Sequence, residues 1–283
     1  MDNRILDPIL LNALNEDIGS GDITTDSCVP EATTVFGRFI AKQSGIICGL
    51  SVAARVFTIL DQNIILTFHK QDGDPCVIGD LIAEINGNAC AILKGERTAL
   101  NFLQHLSGIA TMTQKFVAQV PETCKIVDTR KTTPGLRILE KYAVRMGSGH
   151  NHRFNLADGV LIKDNHIVAA GGIERAVCAA RAQIPHTVKI EVETTNIYEV
   201  QQALDAQADI IMLDNMTTDE MRQAVKRING RALTEASGNM DTKNLTEIAE
   251  TGVDRISIGA LTHSPPALDI SLKLDINTCT AVI

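Results

Sequence analysis

The stretch DTRKTTPGLR (128–137) continues through MGSGHNHRF (146–154) to GVLIKDNH (159–166). Between residues 128 and 166 it holds seven bases against four acids, with three histidines. The bases are Arg130, Lys131, Arg137, Lys141, Arg145, Arg153 and Lys163, in a chain whose 34 acidic side chains outnumber 26 basic ones. Arginine forks carboxylates and phosphates through parallel N–H donors, while lysine supplies a point charge. A local reversal of sign in an acidic protein marks a pocket for small anions. The net charge of −8 argues against nucleic-acid or anionic-membrane partners, which require a basic face. Arg137, Lys141 and Arg145 share the helical pattern LRILEKYAVR with Glu140, and their charges read as surface ion pairs. Arg130, Lys131, Arg153 and Lys163 instead terminate strands or a glycine turn, where functional groups concentrate.

Two acids face the same mouth. Glu193 ends KIEVE and Asp214 ends IIMLD, and Glu191 points the same way as Glu193 by the two-residue period of a strand. Two carboxylates beside substrate oxygens suit Mg²⁺; ion pairing with the cations opposite is the plainer alternative. Ser237-Gly238-Asn239 and Ser257-Ile258-Gly259 close two further strands, where small residues free backbone N–H groups for a phosphate. No GxxxxGK[ST], GxGxxG after a strand, HExxH or GxSxG occurs.

These residues need a scaffold that brings strand ends together. Apolar β-branched runs at 125–129, 159–163, 189–193, 210–214, 233–237 and 255–259 alternate with helical patterns at 173–183, 196–207, 218–228 and 244–252. Thr217 with Glu220, and Asn196 with Glu199, have the spacing of capping boxes. Strands alternating with helices indicate a parallel sheet. A polar or small residue ends every strand, which favours an α/β barrel over an open sheet with a single switch point. The count of about six strands makes that barrel incomplete. Residues 1–110 read as an α+β domain, to which 270–283 return, and 111–269 as the barrel. A long helix over 95–120 joins them. The seven cysteines (28, 48, 76, 90, 124, 178 and 279) are scattered without CxxC pairs and read as reduced thiols. No leader and no apolar run of about 20 residues is present, so a cytoplasmic protein is expected.

EDIGSGDITTD (16–26), GERTALNFLQHLSGIAT (95–111), DTRKTTPGLR, LEKYAV, GSGHNHRFNLADGVLIKDNH, KIEVE, IMLDN and EASGN, in this order, closely resemble quinolinate phosphoribosyltransferase. The resemblance implies an α+β sandwich domain plus an incomplete, seven-stranded α/β barrel. It implies transfer of phosphoribose from phosphoribosyl pyrophosphate to quinolinate with loss of CO₂ and pyrophosphate, yielding nicotinate mononucleotide for NAD biosynthesis. Both substrates are polyanions. By the resemblance, Thr129, Arg130, Lys131, His152, Arg153 and Lys163 hold quinolinate. Arg97 reaches the site of a neighbouring subunit in a homodimer. Glu193 and Asp214 match acids near the ribose and Mg²⁺, and the Ser237–Asn239 and Ser257–Gly259 segments match phosphate loops. Lys131, Glu193 and Asp214 are the expected catalytic groups. Asn239-Met240 stands where some members have Gly-Ile, which leaves that phosphate contact open.

Three rival readings stay open at this level. A Schiff-base aldolase would use Lys163 or Lys131 in an apolar setting. A sister phosphoribosyltransferase would accept nicotinate. A non-enzymatic anion-binding module would explain the cations but leave Glu193 and Asp214 idle.

Overall fold

The structure, a computed structural model, describes residues 2–275. They divide into two compact units: residues up to Met112 with Pro134–Ser148 and those from Pro265 onward, and Thr113–Thr133 with Gly149–Ser264. The segment 134–148, expected inside the barrel domain, therefore belongs to the first unit, as do residues 265–269.

The first unit is built on antiparallel strands. These are β1 (Thr34–Ala41), β2 (Gly45–Ile46), β3 (Ile65–Phe68), β4 (Pro75–Cys76), β5 (Leu81–Asn88) and, from the far end of the chain, β12 (Ile270–Asp275). The main sheet has the order β12-β1-β5-β3, and β2 pairs with β4. Return of the tail is seen over 270–275, and the rest of the expected segment, with Cys279, lies outside the described residues. The N-terminal residues form a helix, Asn3–Ile18, that buries Leu6, Leu10 and Leu14 at four-residue spacing and starts at an Asp2 cap.

Two expectations for this unit change. The long helix is Ala89–Val117 and begins six residues earlier than its pattern indicated, because Asn88 Oδ1 accepts the Ala91 N–H and starts it. The helix Arg137–Met146 keeps Arg145 exposed as expected, but two of its charges turn inward. Glu140 is 0% and Lys141 1% exposed, and Glu140 Oε1 lies 2.9 Å from His105 Nε2. Tyr142 donates its hydroxyl to Asp72 Oδ2 at 2.7 Å.

The second unit carries β6 (Lys125–Val127), β7 (Val160–Ile162), β8 (Ile190–Thr194), β9 (Ile210–Asp214), β10 (Leu233–Ser237) and β11 (Arg255–Ser257). They pair in the order β6-β11-β10-β9-β8-β7, and all five pairings of neighbouring strands are parallel. This is the cyclic order of a barrel with one junction missing. His150 forms a one-residue parallel bridge with Val127, standing where a seventh strand would begin. Alternate residues divide the work. Val192, Ile211, Leu213, Ala236 and Ile256 are buried in the core, while Glu191, Glu193, Met212, Asp214, Glu235 and Ser237 share the other face. Thr217 and Glu220 form the expected capping box. Asn196 caps Glu199, but Glu199 Oε2 takes the N–H of Thr195 and not of Asn196. Among the described residues the cysteines are all free.

One close approach tests the packing of the first unit. A Cβ at Gly108, inside the long helix, would stand 2.1 Å from the Pro266 carbonyl oxygen. Alanine gains about 1 kcal/mol over glycine in a helix interior, but overpacking against backbone costs more. Gly108→Ala is expected to lower stability by about 2 kcal/mol, a Tm fall of about 5 °C in a thermal melt. An unchanged Tm would show that the chain at Pro266 yields.

Candidate active site

A cavity of about 490 Å³ opens at the carboxyl ends of the second unit's strands. Its position follows from the parallel sheet, in which every strand delivers its last residues to one face. A larger concavity of about 890 Å³ in the first unit is lined by Asp26, Glu31 and Asp61 against a single base, Lys94, which is tied to Asp26 at 2.7 Å. Its charge is wrong for polyanions, so the chemistry belongs to the smaller cavity.

The cations are individually positioned. Lys131 donates its backbone N–H to Thr129 Oγ1 at 3.0 Å and accepts the Thr262 hydroxyl on its carbonyl at 2.8 Å. A Cβ at Gly259 would lie 3.0 Å from Lys131 Cδ, so the glycine leaves room for the lysine stem. Arg153 donates from Nη1 to the Gly159 carbonyl at 3.1 Å, while its Nε is buried without an acceptor. Burial, and then the charge of Arg130, draw its guanidinium below the usual arginine range. Two arginines held together in a part-buried site call for an anion. Lys163 Nζ lies 3.2 Å from Glu193 Oε2.

Asp128 holds this arrangement from beneath. Fully buried, it accepts the His152 backbone N–H on Oδ1 at 2.8 Å and the Asn151 amide on Oδ2 at 2.6 Å. The Arg153 backbone N–H in turn donates to His152 Nδ1 at 2.8 Å, and His152 Nε2 lies 3.0 Å from Glu191 Oε2.

On the opposite wall, Asp214 Oδ2 accepts the Asn215 amide at 2.8 Å. Asn215 and Asn239 adopt left-handed φ values of 55° and 51°. At Gly238, with φ of 96°, a Cβ would meet Asn215 Oδ1 at 2.2 Å. Only glycine permits this turn.

Of the residues singled out in the sequence, the cavity gathers Thr129, Arg130, Lys131, His152, Arg153, Lys163, Glu193, Asp214, Ser237, Gly238, Asn239, Ser257 and Gly259. Two stand elsewhere. Ile258 is 1% exposed, and its N–H donates to the Val127 carbonyl, so neither its side chain nor its amide is offered to a ligand. Arg97 lies exposed in the first unit, outside the cavity lining. Sequence reasoning missed Glu235, Asn215, Asp241 and His263, which also line the cavity. Glu235 had a signal: it precedes Ser237 by two and must share its face.

Residues 109–273 match the family model described as quinolinate phosphoribosyl transferase, C-terminal domain, and residues 22–107 match the N-terminal domain model. The chain is 46% identical over 278 residues to a probable nicotinate-nucleotide pyrophosphorylase [carboxylating] of Bacillus subtilis, covering 98% of this chain and 96% of that one. It is 41% identical to quinolinate phosphoribosyltransferase [decarboxylating] 2b, mitochondrial, of Nicotiana tabacum, over 95% of this chain and 82% of the relative. The solved structure of NadC from Streptococcus pyogenes superimposes with a TM-score of 0.94 at 43% identity, covering 97% of this chain and 98% of that one. The chain belongs to the quinolinate phosphoribosyltransferase family.

Proposed function

We propose that the chain transfers phosphoribose from phosphoribosyl pyrophosphate to the ring nitrogen of quinolinate and releases pyrophosphate and CO₂, leaving nicotinate mononucleotide. The single observation that carries the site assignment is Arg153. Its buried Nε without an acceptor, beside Arg130, supports a bound carboxylate as the missing partner. Lys131 and Lys163 add point charges for the remaining anionic oxygens.

Glycosyl transfer needs positive charge stabilised at the anomeric carbon while negative charge leaves. Glu193 and Asp214 lie on the sugar side of this polarity, and the ring nitrogen forms its bond to that carbon as the bond to pyrophosphate breaks. The glycosylated nitrogen is cationic. As CO₂ departs, the electron pair of the carbon–carboxylate bond stays on the ring carbon, stabilised by the adjacent cationic nitrogen, and a proton then takes up that pair in place of the lost group. Lys131, fixed by Thr129, Thr262 and Gly259, holds charge where the leaving oxygens develop it.

Magnesium fits the donor set in kind. Glu193 and Asp214 offer hard carboxylate oxygens on adjacent strands, and Mg²⁺ commonly takes one or two carboxylates plus phosphate oxygens. When bound, it would neutralise pyrophosphate charge. The Glu193–Lys163 ion pair makes Asp214 the better candidate ligand.

Our reading also includes a cytoplasmic homodimer in which Arg97 serves the partner's site. The exposure of Arg97, which is not among the residues lining this chain's own cavity, supports that role. No helix among the described residues is long and apolar enough to cross a membrane. The Schiff-base reading finds little support, because Lys163 is half exposed and ion-paired with Glu193, the opposite of a desolvated lysine.

Lys131→Ala is expected to reduce kcat/KM by about 10²- to 10³-fold, the scale of losing one preorganised donor to developing charge. Nicotinate mononucleotide and CO₂ should be followed together, with nicotinate as the competing acceptor; consumption of nicotinate with quinolinate untouched would transfer the chain to the sister activity. Asp214→Asn should weaken Mg²⁺-dependent binding of phosphoribosyl pyrophosphate by about tenfold while leaving quinolinate affinity within about twofold. Calorimetry with each substrate separates the two. Equal losses for both would take Asp214 out of the metal and ribose role.

A further inference from the structure

His152 and Glu235 line the cavity, and with Glu191 they form a cluster in which one ligand-type atom from each lies within 4.8 Å of the others. The two carboxylates are 4% and 2% exposed, and Glu191 Oε1 and Glu235 Oε1 are buried without a hydrogen-bond partner. Such a cluster has the outline of a metal centre, but the imidazole decides otherwise. A backbone N–H can only donate, so the 2.8 Å contact from the Arg153 N–H makes His152 Nδ1 an acceptor. A neutral imidazole then carries its one proton on Nε2, which leaves no lone pair there for a metal. That proton goes to Glu191 Oε2 at 3.0 Å. Glu235 Oε1 stands 3.7 Å from the same nitrogen, beyond hydrogen-bond length.

Two carboxylates in one enclosed site do not both ionise when a single N–H serves them. Glu191 Oε2 receives that N–H, while Glu235 Oε1 receives none. We propose that Glu235 stands at the cavity wall as a neutral carboxylic acid whose O–H is offered to a carboxylate of the bound pyridine dicarboxylate. The proposal rests on the quinolinate reading of the site and assigns it a further specificity-determining residue. A carboxylate ligand is favoured over phosphate because Glu235 shares its cluster with His152 and Glu191, next to the Arg153 that lacks an acceptor. The phosphate loops lie one step further along the strands, at Ser237–Asn239.

The surroundings agree with the geometry. Burial, then the charge of Glu191, push the Glu235 carboxyl up to about 7. Arg255, its register neighbour on β11, and the Ser257 hydroxyl oppose the rise. His152 would oppose it only if charged, which the Nδ1 contact prevents. Asp214, ending neighbouring β9, adds no positive charge. The sign follows: below about pH 7 Glu235 is protonated and donates, and above it the group ionises, loses its donor and repels the substrate carboxylate.

The test is quinolinate binding by calorimetry to wild type and Glu235→Gln between pH 6 and 8.5, without phosphoribosyl pyrophosphate. The amide keeps a neutral donor at every pH. Wild-type Kd should rise about tenfold across this range, as one ionisation per site allows, while Glu235→Gln stays within about twofold of its value at pH 6. Parallel profiles, or loss of binding in Glu235→Gln at pH 6, would overturn the proposal. So would a pH profile that appears for pyrophosphate and not for quinolinate. An infrared measurement on the free protein supplies an independent readout: a carboxylic acid C=O band at pH 6.5 that disappears in Glu235→Gln. Its absence from wild type overturns the proposal whatever quinolinate does. A band present in a protein that binds no quinolinate at any pH would uphold the neutral acid and defeat the acceptor assignment instead.

Discussion

The barrel unit depends on how its ring of strands is closed where the backbone ladder stops. Six strands follow the cyclic order of a barrel, and the missing junction lies between the His150 bridge and β7. Side chains take over there. Asp128, at the end of β6, collects the Asn151 amide and the His152 N–H, and Arg153 reaches the Gly159 carbonyl just ahead of β7. A buried carboxyl group is tolerated there because hydrogen-bond donors meet it. The same segment that closes the ring carries His152 and Arg153 into the cavity. Closure and function thus rest on the same few hydrogen bonds.

This arrangement explains why an acidic protein concentrates its bases in one stretch of sequence. Arg130, Lys131, Arg153 and Lys163 come from the two sides of the open junction: the loop after β6, the segment ahead of β7 and the residue that follows β7. The acids Glu191, Glu193, Asp214 and Glu235 come from β8, β9 and β10. Parallel connectivity converts order along the chain into order around the ring, so the charge reversal between residues 128 and 166 becomes a cationic arc facing an acidic one. A substrate pair that is anionic at one end and develops positive charge at the sugar fits that polarity.

Much of this was legible before any coordinates. Strand ends were readable because apolar β-branched runs broke at polar residues, and the two-residue period then fixed which neighbours faced inward. Ile258 shows the same rule neglected: it lies between Ser257 and Gly259 and so alternates outward into the core. The inward turn of Glu140 and Lys141 in LRILEKYAVR was not legible. Glu140 finds its partner at His105, 35 residues away, and no local pattern separates a charge with a distant partner from one in water. The early start of the long helix was hidden because Asn88 serves as the last strand residue and as the first acceptor of the helix.

Glu191, Glu193 and Asp214 were visible in the sequence, but Glu235 was passed over, and the division of labour among the four was not legible. Glu191, Glu193, Asp214 and Glu235 have the same side-chain chemistry at equivalent strand positions. What separates them is the hydrogen donor each receives: the His152 N–H for Glu191, the Lys163 ammonium for Glu193, the Asn215 amide for Asp214. For Glu235 Oε1 there is none. Donors set in place by loops, and not by the strands themselves, give like residues unlike surroundings. The Gly238 turn illustrates how closely a loop is tied to this sorting, since the Asn215 side chain that holds Asp214 fills the space a Cβ at 238 would need. A barrel of this kind fixes where carboxylates stand, and its loops decide which donor each of them meets.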